Sequence, residues 1–157
     1  MRIKLLLLVL LLASCDRKSV FEAHKSLPEA AWVSGEPIEF EFEIIDTLPK
    51  YNLFIQLRNT IDYEFSNLFL ISQFRYPDGF ILSDTLQYKM TDSYGNWLGD
   101  GYTDLKENKL FYKENFRLNK PGTYGLTLKQ AVRKRGEING IPVLKGISSV
   151  GLRVESN

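Results

Sequence analysis

The chain has one cysteine and one histidine in 157 residues. A single thiol excludes an intrachain disulfide framework. One imidazole beside one thiol is also too little for a Cys/His zinc site or for a familiar Ser-His or Cys-His nucleophile system. An excess of charge of one sign is missing as well. Twenty Lys and Arg stand against 19 Asp and Glu, for a formal net charge of +1, so no overall field draws the chain onto nucleic acid. The sequence contains no Gly-x-x-x-x-Gly-Lys, no Gly-x-Gly-x-x-Gly and no Gly-x-Ser-x-Gly. No apolar run reaches the roughly 20 residues of a membrane-spanning helix, and there is no repeat, low-complexity tract or heptad series. What is present, 44% hydrophobic residues, 13% aromatic and 25% charged, is the composition of one globular domain.

The longest apolar run is at the N-terminus. Met1-Arg2-Ile3-Lys4 precedes an unbroken stretch from Leu5 to Ala13, a charged segment and a short apolar one in the order of an export signal. The run ends Leu12-Ala13-Ser14-Cys15, which resembles the bacterial lipobox. In that motif small residues admit a lipoprotein signal peptidase and the cysteine thiol receives a diacylglyceryl group. The resemblance implies a signal peptide over residues 1–14, lipidation of Cys15 and a membrane as partner. Several acyl chains, at about 0.8 kcal/mol per buried methylene, hold such a protein durably. Loss of Arg2 and Lys4 with the leader leaves bases and acids within one of each other. The next residues, Asp16-Arg17-Lys18-Ser19, lack the acidic run that resembles a surface-export signal on lipoproteins of the Bacteroidetes. The expectation is a membrane-anchored lipoprotein of the cell envelope that faces the periplasm.

Residues 15–36 read as the lipidated N-terminus and tether, with Pro28 and Gly35 among mixed charges. Val20, Phe21, Leu27 and Trp32 add a short strand or turn docked on the domain. From residue 37 to 157 the pattern is strand after strand. Ile38, Phe40, Phe42 and Ile44 alternate with Glu39, Glu41 and Glu43, a half-buried antiparallel strand. Tyr51 to Asn59 repeats that period, and Asn67–Tyr76 and Phe80–Met90 flank Pro77-Asp78-Gly79 as a hairpin. Lys109–Leu118, Thr123–Val132 and Ser149–Glu155 are further strands. About eight strands at short spacing predict an all-β fold, an antiparallel β-sandwich of Ig-like or jelly-roll type. The pattern does not choose between those topologies.

Candidate chemistry is sparse. His24 sits in a polar segment beside Glu22 and reads as exposed. The Glu39, Glu41 and Glu43 row reads as a solvated sheet face, not as the opposed carboxylates of a hydrolase. Asp92, Asn96, Asp100 and Asp104 offer oxygen ligands without the spacing of a dedicated calcium loop, so neither a metal nor a cofactor is expected. The glycine-rich segment Asp92–Gly101 reads as a loop, and Tyr94, Trp97 and Tyr102 in and beside it could stack on a sugar ring or a partner peptide. Trp97 could equally plug the edge of the core. Arg133-Lys134-Arg135-Gly136 is a basic cluster at a hairpin tip, either a solvated turn or a contact for anionic lipid or an acidic partner. The candidate partner-binding set is therefore Trp97, Asp100, Tyr102, Arg133, Lys134 and Arg135, with no catalytic residues.

Several segments in order along the chain carry a resemblance. Lys25-Ser26-Leu27-Pro28, Phe40-Glu41-Phe42-Glu43-Ile44, Tyr51-Asn52-Leu53-Phe54-Ile55, Ser66-Asn67-Leu68-Phe69-Leu70 and the run from Asn96 to Lys109 resemble the gliding-motility lipoprotein family GldH of the Bacteroidetes. The resemblance implies a non-enzymatic envelope lipoprotein that supports gliding motility and the associated type IX secretion machinery as a structural or assembly component. The competing reading is a glycan-binding lipoprotein of a nutrient-uptake system, in which the aromatic loop stacks on sugar.

Overall fold

The computed structural model describes residues 18–157, so the predicted signal peptide and Cys15 lie outside the described residues. The strands are β1 (Ser19–Ser26), β2 (Ala31–Val33), β3 (Ile38–Ile44), β4 (Tyr51–Thr60), β5 (Asn67–Arg75), β6 (Ile81–Lys89), β7 (Leu105–Phe116), β8 (Gly122–Gln130), β9 (Val143–Lys145) and β10 (Ile147–Ser156). Every ladder is antiparallel. One sheet runs β1-β10-β4-β7, the second runs β3-β8-β5-β6, and β2 pairs with β9 apart from both. This is an all-β antiparallel sandwich. The two sheets hold the eight strands the periodicity suggested, and the short β2–β9 pair adds two more.

The alternation in β3 explains its place. Ile38, Phe40, Phe42 and Ile44 are buried and the three glutamates between them are exposed, so a one-residue slip in register would turn four large apolar side chains to water. Within the second sheet Phe42 stacks on Tyr124 of β8 at 5.7 Å, and the edge-on contact of Phe74 of β5 with Phe116 of β7 at 6.0 Å ties the two sheets together. Leu53, Ile55, Leu57, Val150, Leu152 and Val154 complete the core from the first sheet. The segment predicted to hold the tether and a docked strand supplies β1 and β2. Phe21 of β1 packs 5.6 Å from Phe42, and Trp32 of β2 is buried opposite Leu144 with its indole N–H donating to the Glu36 carbonyl at 3.1 Å.

The hairpin at Pro77-Asp78-Gly79 forms as its residues require. Gly79 takes φ 86°, its N–H donates to the Tyr76 carbonyl at 2.9 Å, and the Tyr76 N–H donates to Phe80 at 2.8 Å. β7 differs from its sequence expectation, starting at Leu105 and ending at Phe116. Its ladder with β4 shifts register between Tyr51 and Phe54, and Asn115 takes a positive φ of 48° while its N–H donates to the Asn52 side chain at 2.8 Å. A bulge of this kind breaks a period-2 pattern without leaving a glycine or proline to mark it.

The register also sorts the connections into two ends. Ser19 lies opposite Glu155, the Ser156 N–H donates to the Lys18 carbonyl at 2.9 Å, and the Asn157 N–H donates to Lys50 at 2.9 Å. The chain's entry into the fold therefore shares one end with the β3–β4 loop, the β5–β6 turn and the β7–β8 loop. Ser26 lies opposite Ser149, Thr60 opposite Leu105, Ile38 opposite Leu128 and Leu70 opposite Gln130. Those ladders put the loops 61–66, 90–104 and 131–142 and the β2–β9 pair at the other end. With about 3.4 Å per residue, the ten residues of β10 hold the two ends roughly 34 Å apart.

Candidate interaction surface

The loop after β6 is built by Asp92. Its carboxylate accepts the Tyr94 N–H at 2.8 Å, the Asn96 N–H at 2.9 Å and the Asn96 side-chain amide at 2.9 Å. Those bonds, first the Asn96 side chain, hold the carboxyl below its ordinary range. Trp97 then bridges to Thr91, and the Leu98 N–H returns to the Met90 carbonyl at 3.0 Å. The indole is half-buried over the core, 6.3 Å from the Tyr63 ring.

Gly99 and Gly101 let the chain lie flat on β7. Asp100 and Glu107 exchange both backbone hydrogen bonds at 2.8 Å. A Cβ on Gly101, whose φ is +145°, would stand 2.3 Å from the Leu105 carbonyl oxygen. Beyond that contact Tyr94 is 90% exposed and Tyr102 fully so.

The basic cluster does sit on a hairpin turn. Arg133 bridges to Gly140, the Ile141 N–H donates to Val132 at 2.9 Å, and Gly136 takes φ +85° beyond the Glu137-to-Lys134 bond of 3.1 Å. Arg133, Lys134 and Arg135 are all exposed.

The six candidate residues share one end of the sandwich but not one site. Trp97 and Lys134 are linked through an aromatic step, since Tyr63 contacts Phe65 edge-on at 5.7 Å and Phe65 lines a cleft of about 190 Å³ with Lys134, Ile141 and Lys145. A larger cleft of about 700 Å³ opens beside it, lined by Glu29, Ile61, Asp62, Glu64, Val143 and Lys145 among others. Asp100 faces elsewhere, into a polar groove of about 260 Å³ on the first sheet with Glu22, His24, Arg58, Glu107 and Lys109. Arg133 borders an apolar hollow formed with Phe69, Ile71 and Ala131.

Tyr63, Glu64, Phe65 and Lys145 were not singled out by sequence reasoning. The signal available was the alternation Asp62-Tyr63-Glu64-Phe65 in a segment too short to be a strand. Tyr63 is fixed by burial, which pushes its phenol up, and by donating to the Asn67 carbonyl at 2.7 Å. Gly146 passes beneath it at φ +84°, where a Cβ would stand 2.3 Å from the Tyr63 nitrogen.

The exposed face of the first sheet carries an ion-pair ladder. Arg153 holds Glu22 and Glu155, each at 2.5 Å, and Lys109 holds Glu155 at 2.7 Å. Desolvation raises both carboxyls, but for Glu22 the Gln56 and His24 hydrogen bonds with Arg153, and for Glu155 the Lys109 and Arg153 contacts, outweigh it and leave each below its ordinary range. On the opposite sheet the glutamate row of β3 is exposed, with Glu41 paired to Arg75 at 2.5 Å. Among the described residues no three of His, Cys, Asp and Glu gather where a metal could be held.

Fold and surface together define a class: a small antiparallel sandwich whose loops and clefts gather at the end remote from the chain's entry. The chain belongs to the GldH lipoprotein family, whose profile matches residues 19–154. It is 45% identical over 159 residues to the gliding motility lipoprotein GldH of Flavobacterium johnsoniae, covering 99% of this chain and 98% of that one. It is 44% identical over 149 residues to the gliding motility lipoprotein GldH homolog of Christiangramia forsetii, covering 95% of this chain and 91% of the relative. Membership makes it a membrane-anchored lipoprotein of the cell envelope. Among solved structures, the infectious bursal disease virus VP2 subviral particle aligns with a TM-score of 0.43 and 16% identity, over 89% of this chain and 33% of that one.

Proposed function

We propose that this lipoprotein is a non-catalytic structural or assembly component of the gliding-motility apparatus and its associated type IX secretion machinery, held at a periplasm-facing membrane surface by acyl chains on Cys15. Identity of 44% and 45% over nearly the full chain to two proteins named for gliding motility is the observation that carries this reading. Tethering supports the role physically, because confining a domain to a surface raises its effective concentration for a membrane-bound partner without any new contact. The contact surface in this reading is the loop-rich end. It offers Tyr102 and Trp97 as aromatic anchors, the Arg133-Lys134-Arg135 cluster as a cationic rim and the cleft over Lys145 between them.

Deletion of the gene in its native host, complemented by wild type or by Cys15→Ala, tests the reading. Colony spreading and the secreted-protein profile are scored together. Loss of both, restored by the wild type alone, is the expected result. Normal spreading and secretion in the deletion strain would overturn it, and specific glycan binding abolished by Trp97→Ala would put sugar recognition in its place.

A further inference from the structure

The end of the sandwich where the chain enters has its own surface. Lys18 is already fixed there by the hydrogen bond its carbonyl accepts from Ser156. Two residues, Asp16 and Arg17, separate it from Cys15, and the three Cα-to-Cα steps reach at most about 10 Å even when fully extended. Whatever carries the acyl chains is therefore within one short span of the loops at this end.

Those loops point apolar side chains outward. Ile45 is 82% exposed and Leu48 88%, both on the β3–β4 loop, and Phe80 is 61% exposed on the β5–β6 turn. The turns under them are stiff. The Leu48 N–H donates to the Asp46 carboxylate at 2.9 Å, the Tyr51 hydroxyl donates to the Asp46 carbonyl, and the Tyr76 ring lies 5.6 Å from Phe80 and 5.7 Å from Tyr124. Side chains held out on such turns are not spare surface waiting to fold inward. Around them stand exposed Lys50 and Arg117, with Lys120 ion-paired to Asp78. The loop acids are engaged, Asp46 by the Leu48 amide and Asp78 by Lys120 and the Phe80 amide. Apolar tips ringed by cations suit the boundary between phospholipid head groups and acyl chains, where hydrocarbon and negative charge lie within a side chain's length of each other.

We infer that this end seats directly on the phospholipid surface, with Ile45, Leu48 and Phe80 dipping into the head-group boundary and Lys50 and Arg117 at phosphate level. The inference rests on the acylation of Cys15, which places these loops at the membrane in the first place. Its consequence is orientation. A tether of two residues alone would let the domain swing, whereas a second contact beside it sets the β-strands upright and holds the loop-rich end roughly 34 Å away from the bilayer.

The full-length acylated protein in vesicles of phosphatidylethanolamine and phosphatidylglycerol tests this. The chain has one cysteine and acylation occupies it, so Leu48→Cys, Phe80→Cys and Ile138→Cys variants each accept a single nitroxide label. All three positions are exposed. The expected result is that labels at 48 and 80 respond several-fold more to oxygen than to a water-soluble nickel chelate, while the label at 138 shows the reverse. Flotation of the same vesicles reads anchoring separately. Protein that floats but leaves positions 48 and 80 as wet as 138 overturns the seating alone. Protein that does not float overturns both the anchor and the seating.

Discussion

The two ends of the sandwich are built by different rules. At the end where the chain enters, connections are short and tied down: Lys120 joins the β7–β8 loop to Asp78 of the β5–β6 turn, the Tyr124 hydroxyl of β8 donates to the Lys120 carbonyl at 2.8 Å, and Tyr51 of β4 donates to Asp46 of the β3–β4 loop. At the other end the connections 90–104 and 131–142 are long, and a separate β2–β9 clasp closes the core beneath them. Short turns present a few fixed side chains, which suits a featureless surface such as a bilayer. Long loops over clefts present varied shape and charge, which suits a protein partner. In the proposed reading, one small domain divides anchoring from recognition between its ends without a second domain.

The two ends differ most in what the β2–β9 clasp contributes to stability. Trp32→Ala removes the largest buried side chain of the β2–β9 pair and should cost about 3–5 kcal/mol in chemical denaturation, whereas Leu48→Ala at the opposite end should leave the midpoint unchanged. Gly146→Ala comes next, since its Cβ would meet the Tyr63 backbone at positive φ; a loss of about 2 kcal/mol or more is expected in the same chemical denaturation.

Acid sharpens a different contrast, that between the faces and the ends. Glu22 and Glu155 have folded-state pKa values below their ordinary ones. Their contribution is thus present above the unfolded value near 4.5 and is lost as pH falls through the lower folded values. Thermal melts should be flat near neutrality and fall below about pH 4.5, with a contribution of at most about 1 kcal/mol from these partly exposed pairs. The Glu22→Gln, Glu155→Gln double variant should flatten that part of the profile. The smallest stability effect belongs to Arg133→Glu, Lys134→Glu, Arg135→Glu. It should stay within about 0.5 kcal/mol and yet abolish complementation of spreading.

Much of the layered fold was legible in the sequence because its strands are half-buried. The Ile38-to-Ile44 alternation and the Pro77-Asp78-Gly79 turn state their structure locally, and the all-β sandwich followed. β2 and β9 were not legible, since three-residue strands carry no period and Trp32 is held by a distant partner, Leu144. The choice of topology was hidden for a related reason. Apart from the β5–β6 hairpin, the links among the eight strands of the two sheets pass between the sheets, and such crossings leave no local signature. At the candidate surface the loop residues were visible through their glycines and aromatics. What the sequence did not disclose is that Trp97 leans on Tyr63 whereas Asp100 turns to the first sheet, because that split depends on Gly99 and Gly101 lying against β7.

The central claim is that recognition belongs to the loop-rich end and anchoring to the other. Photo-crosslinking amino acids placed at Tyr102 and at Leu48, in separate strains of the native host, test it most directly. The account predicts a discrete protein adduct from position 102 and lipid without a discrete protein adduct from position 48. A discrete protein adduct from position 48, with none from position 102, would contradict it.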